Sequence, residues 1–113
     1  MTIVVFLASA MLCLGNQCYP ALLGKDTPIG RYPLIRRYVQ ASGYGGDVMQ
    51  FADTPGGIMA IHRVWLGRPK EQRLQRLASD DPARRRSVTN GCINVRPEVY
   101  EALATASTLE VRE

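Results

Sequence analysis

The sequence predicts a mainly β domain with two short helices. Ten Gly and seven Pro, set against few Lys, imply many turns. Short runs of β-branched and aromatic residues, such as Ile3 to Phe6, end at turn signals such as Gly15-Asn16. Helical signals occur in only two segments, Pro69 to Leu77 and Pro97 to Ala106. With 113 residues, 46% hydrophobic and 21% charged, the chain reads as one globular domain, residues 1–113, able to enclose its own core. No apolar run reaches the ~18 residues of a membrane-spanning helix.

The first element is a buried strand within Thr2 to Leu14. Ala8-Ser9-Ala10 has the small-x-small form of a leader cleavage site. However, no Lys or Arg precedes Lys25, and cleavage there leaves an apolar core of only about five to seven residues, so no clear signal peptide is read. Gly15-Asn16 suits a two-residue hairpin turn with Gly at the first central position. That register sets Leu14 opposite Gln17 and Cys13 opposite Cys18. A cross-strand disulfide is then geometrically possible; the alternative is two small thiols packed on one face.

Lys25 to Gly30 is a turn-rich link, and Arg31 to Tyr38 reads as one strand. Gly43, Gly45 and Gly46 mark a loop. Asp47 to Ala52 and Ile58 to Trp65 read as two strands joined around Thr54-Pro55-Gly56-Gly57. Pro69 to Leu77 is a helix with Leu74 and Leu77 on one face, ended by Asp80-Asp81-Pro82. Ser87 to Val95 is a strand or strand-like loop. Pro97 to Ala106 is a helix with Val99, Leu103 and Ala106 on one stripe, and Thr108 to Arg112 is the last strand.

Net charge is +4, and eight of the fourteen basic residues lie between Arg63 and Arg86. Such a cluster can serve nucleic acid. Trp65 is its one aromatic residue and no nucleic-acid-binding motif accompanies it, so a solvated helix and loop is the preferred reading and no nucleic-acid partner is expected.

Two residues stand out for chemistry. His62 is the only His in the chain and shares a strand face with Ile58 and Ala60. Cys92 follows Gly91 in Thr89-Asn90-Gly91-Cys92-Ile93-Asn94. A Gly beside a nucleophile lets substrate approach the backbone, and consecutive N–H groups there can form an oxyanion hole. A thiol nucleophile needs a base, and His62 is the available one. Zinc is disfavoured: Cys13, Cys18, Cys92 and His62 number four ligands, but Cys13 and Cys18 lack the usual paired-knuckle spacing.

The chain resembles an L,D-transpeptidase catalytic domain, the cysteine-dependent family that remodels peptidoglycan. That family carries a His and, downstream, Ser/Thr-His-Gly-Cys-hydrophobic-Asn. Here stand His62, then Thr89, Asn90, Gly91, Cys92, Ile93 and Asn94. Gly24 to Tyr32 is similar to the family's Gly…Thr-Pro-x-Gly-x-aromatic segment, and Tyr44-Gly45-Gly46 also fits. The resemblance runs from Ile3 to Val111. Asn90 departs from it, replacing a second His with an amide that donates a hydrogen bond but carries no proton. The 29 residues between His62 and Cys92 exceed the family's usual gap, and the excess falls in Pro69 to Leu77 and its basic loop, a local insertion that could cap the site.

The resemblance implies a β-sandwich with two short helices, Cys92 as nucleophile and His62 as its base. It implies that the Arg63 carbonyl orients His62 and that the N–H groups of Gly91 and Cys92 hold an oxyanion. It also implies peptidoglycan stem peptides as substrate, 3–3 crosslinks as product, a periplasmic or cell-envelope location and no cofactor; a monomer is expected. Tyr44, Thr89, Asn90 and Asn94 are read as substrate-binding or loop-supporting. Arg63, Arg84, Arg85 and Arg86 are candidates for attracting stem carboxylates. Three other readings stand beside crosslinking: carboxypeptidase trimming, a catalytically silent wall-binding module, and a basic nucleic-acid-binding protein.

Overall fold

Period-two burial in the first and last strands sets the centre of the molecule. The computed structural model describes residues 1–39 and 46–113. Its elements run β1 (Thr2–Phe6), β2 (Met11–Leu14), β3 (Gln17–Pro20), β4 (Gly30–Pro33), β5 (Ile35–Tyr38), β6 (Asp47–Thr54), β7 (Gly57–Arg63), α1 (Arg73–Leu77), β8 (Ile93–Val95), α2 (Pro97–Ala102) and β9 (Thr108–Arg112). β1 turns Ile3 and Val5 inward, and β9 does the same with Leu109 and Val111. The two strands pair in parallel at the middle of a five-stranded sheet ordered β3-β2-β1-β9-β4. A second sheet, ordered β5-β6-β7-β8, supplies Met49, Phe51, Met59, Ile61, Ile93 and Val95 to the same core. The architecture is the expected mainly β sandwich with two short helices. Burying these side chains stabilises it by roughly 1.5–3 kcal/mol each. Among the described residues no helix is long and apolar enough to cross a membrane.

The first hairpin follows its sequence. Gly15 takes φ +61°, which a residue with a Cβ adopts only at a cost. Leu14 pairs with Gln17 and Cys13 with Cys18, and the two cysteines form a disulfide across Cα atoms 4.0 Å apart. Cys92 is left as the free thiol. Protein purified without reductant is therefore expected to titrate one thiol per chain, rising to three after reduction and unfolding. Three before reduction would refute the pairing.

The predicted strand Arg31 to Tyr38 is two strands in different sheets. β4 pairs with β9, whereas β5 pairs with β6. The break falls at Pro33-Leu34, where Pro33 has no N–H to continue a ladder and Leu34 donates to Ser107 O instead (3.0 Å). The predicted helix Pro69 to Leu77 is likewise split. A 3-10 turn, Pro69–Glu71, ends at Gln72 in the left-handed region (φ 52°), and α1 follows. α1 buries Leu77 against Leu22 and Val64 but leaves Leu74 45% exposed, so the two leucines do not share a buried face. α2 ends at Ala102, short of the predicted Ala106, although Val99 and Leu103 enter the core as expected. Only Ile93–Val95 of the segment Ser87 to Val95 is strand.

Candidate active site

His62 comes from the last turn of the pleat in β7. Met59 and Ile61 point into the core, while Ile58, Ala60 and His62 line a cavity on the other face. β8 lies parallel beside β7, pairing His62 with Asn94, and the loop entering β8 carries Cys92. Cys92 borders three cavities of 290, 440 and 550 Å³, and His62 borders the first two. Nucleophile and base candidates 30 positions apart in sequence thus meet at one cleft.

The loop is fixed by its own side chains and by the β3–β4 connection. Val88 and Thr89 donate to Leu23 O (2.8 and 3.1 Å). Thr89 Oγ1 donates to Cys92 O (2.6 Å) and accepts from the Gly91 N–H (3.1 Å). Thr27, buried in the Thr-Pro segment, donates from Oγ1 to Gly91 O (2.9 Å) and accepts from the Gly24 N–H (3.0 Å). Gly91 sits at φ +133°, and a Cβ there would lie 2.3 Å from Met59 Sδ. The glycine before Cys92 is thus required by conformation, while the end of the Met59 side chain would have to move to admit a Cβ.

The imidazole is held at both nitrogens. Nδ1 lies 2.7 Å from Arg63 O, and a carbonyl can only accept, so Nδ1 carries the proton. Nε2 lies 3.3 Å from Asn94 Nδ2. Asn94 is fully buried, and its Oδ1 accepts from Arg73 Nη1 at 2.8 Å. Arg donates only, so the amide nitrogen must face His62, and Nε2 presents its lone pair. Burial pushes the His62 pKa down to about 4; the Arg63 carbonyl opposes this and the Arg73 charge reinforces it. Burial likewise pushes the Cys92 thiol up, partly offset by a hydrogen bond from the Ala60 backbone and by Arg73. Both shifts favour the neutral forms, thiol on Cys92 and imidazole on His62.

The other candidates divide. Asn90 is exposed on the rim of the 290 Å³ cavity, and Thr89 and Asn94 line it. Tyr44 lies outside the described residues. Arg86 is not brought to the cleft: its guanidinium donates to Ala8 O (3.1 Å) at the β1–β2 turn. Arg85 is buried, donating to Ala10 O and Ser9 O, and Arg84 offers its carbonyl to Arg76. The Arg63 side chain pairs with Asp47 and Glu101 over the Tyr100 ring (4.1 Å), bracing α2 against β7. The basic run is thus largely spent on internal contacts. The disulfide also removes Cys13 and Cys18 as metal ligands.

Two solved structures of L,D-transpeptidase 3 from Mycobacterium tuberculosis, one with a faropenem-derived adduct, match with TM-scores of 0.64 and 0.63 at 15% and 14% identity. L,D-transpeptidase 1 of the same organism matches at 0.57 and 18%. Each match covers 99% of this chain. The fold is that of the L,D-transpeptidases. This chain spans 60%, 60% and 58% of the lengths of those structures. No family model matches the sequence, and no curated protein does.

On this L,D-transpeptidase fold, the segment between β7 and Cys92 builds one wall of the cleft with Trp65, Arg68, Glu71 and Arg73. None of these was legible singly as a site residue, although the insertion that carries Glu71 and Arg73 was expected to cap the site. Arg73 is one of many arginines in that stretch, and its partner Asn94 is 21 positions away. Thr27 was visible only as part of the Thr-Pro segment; its grip on Gly91 spans 64 positions.

Proposed function

We propose that this chain is a cysteine-dependent L,D-transpeptidase that crosslinks peptidoglycan stem peptides in the cell envelope, acting as a monomer. The reading is carried by one observation: Cys92 and His62 border the same cleft of an L,D-transpeptidase fold, with Nδ1 of His62 held by the Arg63 carbonyl. Cys92 passes its proton to His62 Nε2 as the sulfur attacks the carbonyl of the third residue of a tetrapeptide stem. Asn94 must release Nε2 for this, and the 3.3 Å contact is a long one. The bond to the terminal D-alanine breaks, and its amine leaves with the proton held by His62. An amine of a second stem then opens the thioester, returning a proton through His62 to sulfur and leaving a 3–3 crosslink. If water takes that place, the stem is trimmed.

The Cys92 N–H is assigned to the oxyanion. The Gly91 N–H joins it only on leaving Thr89 Oγ1, to which it donates at rest. Asn90 supplies an amide donor at the rim but no proton.

One of the similar structures, of L,D-transpeptidase 3, carries a faropenem-derived adduct. Incubating this chain with faropenem or a carbapenem is expected to add one drug-derived mass per chain, mapped to the Cys92 peptide by digestion. No mass gain, under conditions that label an L,D-transpeptidase control, would refute the proposal. It would favour the silent wall-binding module, for which the resting grip of Asn94 on Nε2 is the specific support. Tetrapeptide supplied with and without an amine acceptor separates crosslinking from trimming by product mass.

A further inference from the structure

The segment that walls the cleft also reaches into the reacting pair. The left-handed turn at Gln72 redirects the chain so that Arg73 points inward, with its side chain 10% exposed. Its Nε donates to Glu71 Oε1 (2.9 Å), its Nη1 to Asn94 Oδ1 (2.8 Å), and its guanidinium lies 5.4 Å from the Trp65 ring centroid. The Trp65 N–H also points at Asn94 Oδ1, at 3.5 Å. A side chain so enclosed has little freedom to leave.

The geometry points to Arg73 as a positioning residue for Cys92 and His62: by holding Asn94 it backs the tautomer that the Arg63 carbonyl sets, with Nε2 as the nitrogen that can take a proton, and its charge biases where that proton rests. This goes beyond the proposed function but rests on its assignment of the reacting pair. The physical reason lies in the amide. Asn94 could face His62 with either end, because its two ends differ little in shape. With Oδ1 toward the ring, the amide would draw the hydrogen to Nε2 against the Arg63 carbonyl, and a protonated Nε2 could not accept the Cys92 proton. Arg73 has donors only, so it draws Oδ1 to itself and leaves Nδ2 for Nε2.

The charge acts on both partners. A cation here favours thiolate over thiol and disfavours imidazolium. Glu71 partly cancels that field. The other charged or titratable groups at these cavities are Arg68 beside them on the same wall, Arg37 and Tyr38 from β5, and Asp26 from the β3–β4 connection. Among these side chains, Arg73 is the one bonded to Asn94.

The test uses the full chain with its disulfide intact. His62 is the only His, so its ring nitrogens can be followed by 15N NMR across pH without assignment. Cys92 is the free thiol, so its alkylation by iodoacetamide reports its ionisation. In Arg73→Gln both titrations are expected to move up by on the order of one pH unit, and the Nε2-H tautomer to grow. Arg73→Lys keeps the charge but not the fork, so the titrations stay near wild type while the tautomer signal mixes. Glu71→Gln unmasks the cation, so both titrations move down. Arg68→Gln, which lacks the bond to Asn94, leaves everything in place.

A folded Arg73→Gln whose two curves and ring shifts match wild type would overturn the inference. If that variant does not fold, Glu71→Gln decides, and unmoved curves there refute it. These readouts need neither peptidoglycan nor a β-lactam. A chain that shows the shifts yet forms no adduct would lose the proposed function while keeping the role of Arg73.

Discussion

Cys92→Ala is expected to lower crosslinking of a tetrapeptide donor by at least about 10⁴-fold, with far-UV CD and Tm unchanged. The fold should tolerate the change because the thiol is only half-buried and its hydrogen bond to Ile58 O, at 3.7 Å, is weak. His62→Gln is expected to cost roughly 10²- to 10⁴-fold, the usual loss of a general base. The pH profile separates two states of the pair. His62 must be neutral to accept a proton, and burial holds its pKa near 4. Acylation should therefore stay flat between about pH 5 and 8, fall only as His62 protonates below that, and rise as the thiol ionises above its ordinary range. A preformed thiolate–imidazolium pair would instead give a bell with a limb near neutrality. A kcat/KM profile that falls as pH drops through 6.5 would contradict the neutral pair. So would wild-type rates in Cys92→Ala, which would also end the case for a thioester.

What could be read in advance was local and periodic. The hairpin at Gly15 fixes Cys13 against Cys18 because a two-residue turn leaves no freedom of register. Alternation in β7 places His62 with Ala60 on the cleft face for the same reason. The motif around Cys92 was legible as residues but not as a bonded unit, since Thr27 and Gly24 reach it from the β3–β4 connection. Helix ends were misjudged locally, at Gln72 and Ala102, but the errors that bear on the site are non-local. Pro33 marks a break in the ladder, but nothing local says that the chain changes sheets there. Nothing in Arg84-Arg85-Arg86 says that two of these side chains serve the β1–β2 turn instead of substrate. A charged side chain long enough to reach several partners is placed by tertiary structure, and sequence spacing carries no record of it.

Gly24→Ala is expected to be the most damaging substitution outside the reacting pair. Gly24 forms a bridge with Thr89, and its N–H and carbonyl close a turn on Thr27, the residue that grips Gly91. A Cβ at Gly24 would lie 2.3 Å from Gly91 N, 2.5 Å from Thr89 O and 2.8 Å from Gly91 Cα. All three are backbone atoms, so no side chain can rotate away; one of the two segments must move. Overpacking of this kind typically costs about 1–3 kcal/mol, which should appear as a lower Tm. The functional loss should be larger, because the strand of chain displaced is the one that aims Cys92. A shift near 1 Å at a reacting centre costs on the order of 10²-fold. Gly56→Ala is the matched control: its Cβ would meet only Thr54 Oγ1, at 3.8 Å, and both readouts should stay near wild type. If Gly24→Ala acylates at the wild-type rate with an unchanged Tm, the contact between the β3–β4 connection and the Cys92 loop is not what positions the thiol, and the Thr27 clamp loses its role with it.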